Sequence, residues 1–284
     1  MAVPPLEALH AAGFDIALVV TRPDKRRGRG GATTPSPVKA AALRLGLAVT
    51  HDVDDVLDAG ADLGVVVAYG RLVKPHVLER LPMVNLHFSL LPRWRGAAPV
   101  ERALLAGDET TGVCVMAVDE TLDTGDVYAR AEVPIGPATT AEDLRRTLVA
   151  AGTDLLVRTL AEGLGEPWPQ EGEPTYAAKV EPSELAIDWD RPAVEVDRLV
   201  RLGGAWTTWR GRRLKVWRLD PAPADEGAEP VGPVPPGTLV APVAVMAGDG
   251  PVRLGEVQPE GRARQAAADW WRGARPEPGE RFTP

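Results

Sequence analysis

Two hydrophobic patterns divide the chain. Over residues 1–165, short apolar runs alternate with segments whose apolar positions recur every three to four residues, as strands alternating with helices do. Pro4–Ala12 reads as a helix with Pro near its start and Gly13 as its stop. Asp15–Val20 follows as a strand, and Ser36 is placed to cap a helix that runs to Arg44 with Pro37 at its first position. Gly46–Thr50 and Leu63–Ala68 are further strands, Lys74–Arg80 a short helix, and Met83–Phe88 an apolar strand at the centre of the pattern. Pro99–Leu105 is a helix and Gly112–Val118 a second apolar strand. Val127–Val133 is its hairpin-like successor, and Thr140–Gly163 a long amphipathic helix. This alternation predicts an α/β fold with a doubly wound, mostly parallel sheet.

After Gly163 the pattern changes. Gly163–Pro174 is rich in Gly and Pro and reads as a linker, Tyr176–Asp190 continues it, and Val194–Leu202 is a helix. From Thr207 onward, short alternating runs (TTWR, RLKVWRL, GTLVA, VAVMAG, GPVRLGEVQP) are separated by Gly- and Pro-rich turns. They predict a small antiparallel barrel. Pro221–Pro236 is a long Pro-rich loop, and Gln265–Trp271 a last short helix. The expected parts are residues 1–165, a linker over 166–190, and a second domain over 191–284, with no internal repeat.

Composition narrows the setting. Of 284 residues, 44% are hydrophobic and 25% charged, as in ordinary globular proteins. No run of about 18 apolar residues and no signal-peptide pattern occurs, so the expectation is a cytoplasmic protein without a membrane partner. The single Cys114 lies in an apolar strand and reads as a small buried hydrophobe of the reducing cytosol. A net charge of −8 argues against indiscriminate nucleic-acid binding, yet charge is unevenly spread. Residues 22–31 hold five basic side chains and one acidic, and residues 198–218 hold seven basic and none acidic. Such patches on an acidic body would steer a polyanion to one face, although solvated Arg runs are also common on surfaces.

The chemistry concentrates between Val84 and Asp126. A strand's period of two puts Asn85 and His87 on one face, and polar groups on a buried strand need partners. The turn Ser89-Leu90-Leu91-Pro92 follows, where ligands bind in parallel α/β sheets, beyond a strand's carboxyl end. The second apolar strand leads into Leu122-Asp123-Thr124-Gly125-Asp126, an acidic loop containing glycine. A lone histidine is more often structural; with Asn85 and Asp123 converging on the same sheet edge, catalysis is the better reading of His87. His10, His51 and His76 read as surface residues. No Cys/His/carboxylate spacing suits a metal. Gly28-Arg29-Gly30-Gly31 does not run into a helix as a dinucleotide loop must, and Ser89 lacks a nucleophile elbow.

Taken together, Asn85-x-His87, Ser89-Leu90-Leu91-Pro92, Arg93-Trp94-Arg95-Gly96-Ala97-Ala98-Pro99 and Leu122-Asp123-Thr124-Gly125-Asp126 resemble the methionyl-tRNA formyltransferase family. The resemblance is specific, because several linked motifs occur at compatible spacing, and it extends more weakly along most of the chain. It implies a Rossmann-like first domain and an OB-like barrel that contacts tRNA. It also implies transfer of a formyl group from 10-formyltetrahydrofolate to the α-amine of initiator methionyl-tRNA, a step in translation initiation, by a monomeric enzyme without a metal.

On that resemblance Asn85 and a protonated His87 would donate to the developing oxyanion. Asp123 would orient His87, favour its charged form and help move the amine's proton. Ser89, Leu90, Leu91 and Pro92, with Leu122, Thr124 and Gly125, carry over as the folate site. Arg29, with Lys25, Arg26 and Arg27, carries over as a basic loop at the acceptor end of tRNA, and Arg93 and Arg95 as further contacts. This loop departs from the family's usual sequence, with Lys-Arg-Arg at 25–27. In the family a strand and a Gly-Thr-Pro loop precede the first helix, and this sequence begins just after that point; the expectation is a start codon assigned too late. Two rivals stay open: a folate-dependent formyltransferase acting on a small amine, and a tRNA-binding protein with impaired catalysis.

Overall fold

The computed structural model describes residues 1–26, 33–220, 234–277 and 279–283. Contacts divide the chain into two units. The first comprises Met1–Val100, Glu109–Ile135 and Asp143–Ala178; the second comprises Glu101–Asp108, Gly136–Glu142 and Lys179–Pro284.

The first unit opens with α1 (Val3–Ala11), β1 (Val19–Val20), and a small antiparallel pair of β2 (Lys25–Arg26) and β3 (Thr33–Thr34). In α2 (Pro37–Arg44), Ser36 accepts the Lys39 N–H at 3.0 Å and Pro37 fills the first turn, the capping that its sequence predicts. β4 (Val49–Thr50) pairs with β1 in parallel. Both strands are shorter than the apolar runs that contain them, because only these residues meet a ladder partner among the described residues.

β5 (Gly64–Val67), α3 (Pro75–Leu78), β6 (Met83–His87), β7 (Arg95–Gly96), β8 (Thr110–Ala117) and β9 (Val127–Pro134) follow, while α4 (Pro99–Ala106) passes into the second unit after Val100. The sheet order is β5-β6-β8-β9: β5 and β6 run parallel, and β8 and β9 add antiparallel. Val84, Leu86, Val113 and Val115 on one face, and Cys114 and Met116 on the other, are at most 1% exposed, so this part of the sheet is covered on both faces. α5 (Ala141–Glu162) crosses over it. Its Gly152 lies so near Leu86 that an added Cβ would meet that side chain at 3.1 Å, so the missing side chain permits the close approach. The Gly- and Pro-rich stretch after α5 is not a free tether up to Ala178. Trp168 and Val127 exchange backbone hydrogen bonds of 2.9 and 2.8 Å, and β10 (Tyr176–Ala177) pairs in parallel with β7.

The second unit contains α6 (Ala193–Leu202), β11 (Trp206–Trp209), β12 (Arg212–Asp220), β13 (Leu239–Ala241), β14 (Ala244–Met246), β15 (Pro251–Pro259), β16 (Gln265–Ala266) and α7 (Ala267–Ala274). Its antiparallel sheet has the order β11-β12-β15-β14-β13, with β16 added on β15. Register shifts flank Arg218 where β12 meets β15; such irregularities sharpen local twist and let a sheet curl into a half-barrel. The concave side buries Val216, Val245, Leu254 and Val257 against Val196 and Val200 of α6. Trp270 of α7 and Phe282 complete that core with ring centroids 6.1 Å apart.

Candidate active site

β6 delivers Asn85 and His87 to one face, as its period requires. Register pairs Asn85 with Met116 and His87 with Cys114 on β8, so two apolar side chains flank the polar ones. Beyond β8 the chain turns through the Asp123 loop. Gly125 is required there: an added Cβ would lie 2.1 Å from the Ala117 carbonyl oxygen, so only glycine lets the loop fold back on the strand end. Asp123 itself has φ 53°, a left-handed backbone that costs a non-glycine residue roughly 1–2 kcal/mol and that its partners must offset.

Those partners converge on its carboxylate, whose side chain is 11% exposed. Oδ2 accepts the Gly96 N–H at 2.8 Å, Oδ1 accepts from Asn85 Nδ2 at 3.3 Å, and His87 Nδ1 lies 3.6 Å from Oδ2. The other ring nitrogen, Nε2, is 2.9 Å from the Trp94 carbonyl. A carbonyl only accepts, so this contact assigns a proton to Nε2 and leaves Nδ1 facing the carboxylate.

His87 is 5% exposed. Burial pushes its pKa below 6.5 and outweighs the raising effects of Asp123 and the Trp94 carbonyl. The sequence reading had Asp123 favouring the charged ring. It does so, but less than desolvation opposes it, and the resting imidazole is held toward neutrality.

The segment after the Ser89–Pro92 turn folds back over the site. Ser89, fully buried, donates its hydroxyl to the Arg93 carbonyl at 2.5 Å. Trp94 takes φ 66° and Gly96 φ 120°. Trp94 N–H donates to Thr175 Oγ1 at 2.9 Å and Arg95 N–H to the Thr175 carbonyl at 2.8 Å. Gln170 adds a further connection: Nε2 donates to the carbonyls of Asp123 (3.0 Å) and Gly125 (2.8 Å). Its Oε1 accepts from Arg95 Nε (3.1 Å) and Nη2 (2.6 Å).

Asn85, His87 and Asp123, read from sequence as one set, are brought together. The folate candidates divide. Leu122 lines a pocket of about 60 Å³ with Asn85, Asp123, Arg71, Leu72 and Val73. Leu91 lines a different cavity of about 400 Å³ with Cys114, Arg130, Trp168 and Gln170. Leu90 packs on Gly112, and Ser89 is occupied with Arg93. Pro92 follows a cis peptide bond, Thr124 bonds the Thr121 hydroxyl, and Gly125 shapes the loop.

Of the tRNA candidates, Arg93 lies over the Trp94 ring (4.5 Å to its centroid), whereas Arg95 is turned onto Gln170. Lys25 and Arg26 form β2; Arg27 and Arg29 lie outside the described residues. Sequence reasoning missed Arg71, Leu72 and Val73, Gly96, Thr175 and Gln170. The apolar Leu72-Val73 pair and the place of Gly96 within the Arg93–Pro99 motif gave the local signals.

In the second unit the basic run holds ion-paired and ring-stacked side chains, and Arg210 is both, paired with Glu280 and lying 4.3 Å from the Trp209 ring centroid. Arg201, Arg210 and Arg218 are paired with Asp197, Glu280 and Asp220. Arg213 lies 4.1 Å above the Trp206 ring centroid, and Lys215 and Arg264 lie 5.6 and 5.0 Å from that of Trp217. Register brings Trp206 opposite Lys215, which gathers these cations and indoles on one face of the sheet.

Comparison with known proteins bears on the same residues. Residues 4–160 match the formyl transferase family model, and residues 179–275 the model of the formyl transferase C-terminal domain. The chain is 45% identical over 304 aligned positions to methionyl-tRNA formyltransferase of Symbiobacterium thermophilum, covering 98% of this chain and 91% of the relative. It is 43% identical to that of Thermobifida fusca, covering 99% and 96%. Among solved structures, the N-formyltransferase of Helicobacter canadensis, in complex with folinic acid and dTDP-3-aminofucose, superimposes with a TM-score of 0.66. The identity is 17%, over 89% of this chain and 95% of that one, a likeness of fold.

Proposed function

The chain belongs to the methionyl-tRNA formyltransferase family, and from that premise we propose that it moves a formyl group from 10-formyltetrahydrofolate to the α-amine of initiator methionyl-tRNA. The observation that carries the reading is the convergence of Asn85, His87 and Asp123 at one sheet edge, with donors and a carboxylate within 3.6 Å of one another.

The chemistry follows from those groups. Attack of the amine nitrogen on the formyl carbon forms a C–N bond and places negative charge on the formyl oxygen. Asn85 has two amide hydrogens and gives one to Asp123; the other is available for that oxygen. The imidazole reaches the same oxygen by exchanging the Trp94 carbonyl for it at Nε2. As negative charge develops, the amine's proton passes through Asp123 to Nδ1 of the ring, and Asp123 stabilises the cation. Collapse of the tetrahedral centre restores the formyl C=O and breaks the bond from the formyl carbon to the folate nitrogen, which receives the proton held by His87. Holding two substrates in register supplies the rest of the rate.

We place the flat end of the donor at the pocket beside Asn85, which must widen from about 60 Å³ to admit a bicyclic ring. Leu72, Val73 and Leu122 provide apolar walls, and Arg71, Asn85 and Asp123 a polar rim. Ser89–Pro92 and Thr124–Gly125 then act as supports that shape this wall. Residues 1–165 form the catalytic domain together with the Trp168–Ala177 stretch pinned to it, the rest of 166–190 the link, and 191–284 the tRNA-contacting domain. The stacked face of Trp206, Arg213, Lys215 and Trp217 supports the last assignment, since cations and aromatic rings together bind nucleic-acid strands. Arg29, with Lys25, Arg26 and Arg27, grips the acceptor end, assisted by Arg93; Arg95 serves the fold of the loop.

Formyl transfer measured with methionyl-tRNA against free methionine and an amino sugar tests the proposal. Transfer to methionyl-tRNA alone is expected; transfer to the small amines in its place would overturn the acceptor assignment.

A further inference from the structure

We infer that Gln170 is a positioning residue for this reaction: its side-chain amide joins the Asp123 loop to the Arg95–Gly96 segment and so fixes the carboxylate against Asn85 and His87. The inference rests on the reading of those three residues as the reacting set.

The hydrogen bonds form a closed ring. From Gln170 Nε2 they run to the Asp123 and Gly125 carbonyls, on either side of Thr124. From Oε1 they run to the Arg95 guanidinium. Arg95 is followed directly by Gly96, whose N–H holds the Asp123 carboxylate at 2.8 Å. The carboxylate is therefore held from its backbone and from its oxygens, and one side chain links the two supports. A primary amide is suited to this place because it donates twice and accepts at its other end without carrying charge. Gln170 is itself held in place: two residues earlier, Trp168 exchanges two backbone hydrogen bonds with Val127 at the start of β9. Asp123 needs such support because its backbone occupies the left-handed region. Neither the 3.3 Å contact to Asn85 nor the 3.6 Å approach of His87 is short enough to hold it alone.

Gln170→Met tests this by keeping length and volume while removing every side-chain hydrogen bond. Gln170→Glu keeps the acceptor for Arg95 but turns an oxygen toward two carbonyls. Both are assayed for formyl transfer to methionyl-tRNA, with a thermal melt to confirm folding and hydrogen–deuterium exchange of residues 121–126. The expected result in each is a fall in kcat of about 10- to 100-fold with both KM values within about threefold. Exchange of the loop should be at least about tenfold faster. Wild-type kcat and unchanged loop exchange in a folded Gln170→Met would overturn the inference, as would a loss confined to KM. Should Gln170→Met not fold, Gln170→Glu decides on the same two readings. If the wild-type protein transfers no formyl group, the functional reading fails by itself. The exchange measurement then decides alone whether Gln170 fixes the loop.

Discussion

The Asp123 loop and the outer face of the half-barrel use polar residues in opposite ways. Around Asp123, a few partly buried groups are held by directed hydrogen bonds: Gly96 N–H on Oδ2, Asn85 on Oδ1, and the Gln170 amide on the backbone carbonyls of Asp123 and Gly125. On the barrel, Arg213 and Lys215 lie over tryptophan rings with their charge toward water. In the first region the low dielectric makes each hydrogen bond strong and each loss expensive. In the second, exposed charges act additively, individually weakly, and under the control of salt. On the proposed function, the former arrangement serves chemistry and the latter capture of a large polyanion, so damage to the two regions should look different.

The largest expected difference is in turnover. His87→Ala and Asp123→Ala should each lower kcat by about 10²- to 10⁴-fold while leaving tRNA affinity, measured by filter binding, nearly unchanged. Loss of binding in parallel with kcat would blur the contrast between the regions. Next, Arg213→Ala with Lys215→Ala should raise KM for methionyl-tRNA about 3- to 10-fold, spare kcat, and lower the salt slope of tRNA binding by about 1 to 2. Arg29→Ala should act in the same direction, weakening use of tRNA and not of the folate donor. An unaltered salt slope in the barrel variant would remove that face from the binding surface.

The smallest effect concerns pH. Burial lowers the pKa of His87, so the folded protein binds fewer protons than the unfolded chain between that lowered value and 6.5. The stability contributed by keeping the ring neutral is complete above 6.5 and is lost as pH falls below it. The midpoint of thermal unfolding should therefore fall more between about pH 7.5 and pH 5.5 in wild-type protein than in His87→Gln. Equal slopes would show that the ring titrates normally. Cys114 sharpens the same contrast: burial raises its pKa to about 11, and the folded protein should resist thiol reagents at pH 8 that label the unfolded chain.

Much of this was legible in the residues, for reasons that differ by region. Asn85 and His87 could be placed on one face because a strand's period is two, and Ser36 could be placed at a helix start because capping is local. Asp123 could be joined to Asn85 and His87 because its loop ends the neighbouring apolar strand, and the family resemblance supplied the roles of the three. What stayed hidden depends on contacts distant in sequence. Gln170 lies in a Gly- and Pro-rich stretch that reads as linker, and the Trp168–Val127 and β10–β7 pairings on either side of it bring it under a loop 47 residues earlier. Thr175 meets Trp94 across 81 residues, and no local pattern encodes that distance. The neutral bias of His87 was missed for another cause: a neighbouring carboxylate is visible in sequence, whereas the burial that outweighs it is a property of the packed sheet. The seven cations of residues 198–218 were countable, but not which of them acidic neighbours would claim.

The central claim is that Asn85, His87 and Asp123 act as one formyl-transferring set. Single-turnover transfer from 10-formyltetrahydrofolate to initiator methionyl-tRNA, with both substrates saturating, tests it most directly when wild-type protein is compared with Asn85→Ala, Asp123→Ala and the double variant. The account predicts rapid transfer by the wild type, a loss of about 10²-fold or more in each single variant, and a double variant little worse than the poorer single one. Losses that multiply in the double variant, or wild-type rates in Asp123→Ala, would contradict it.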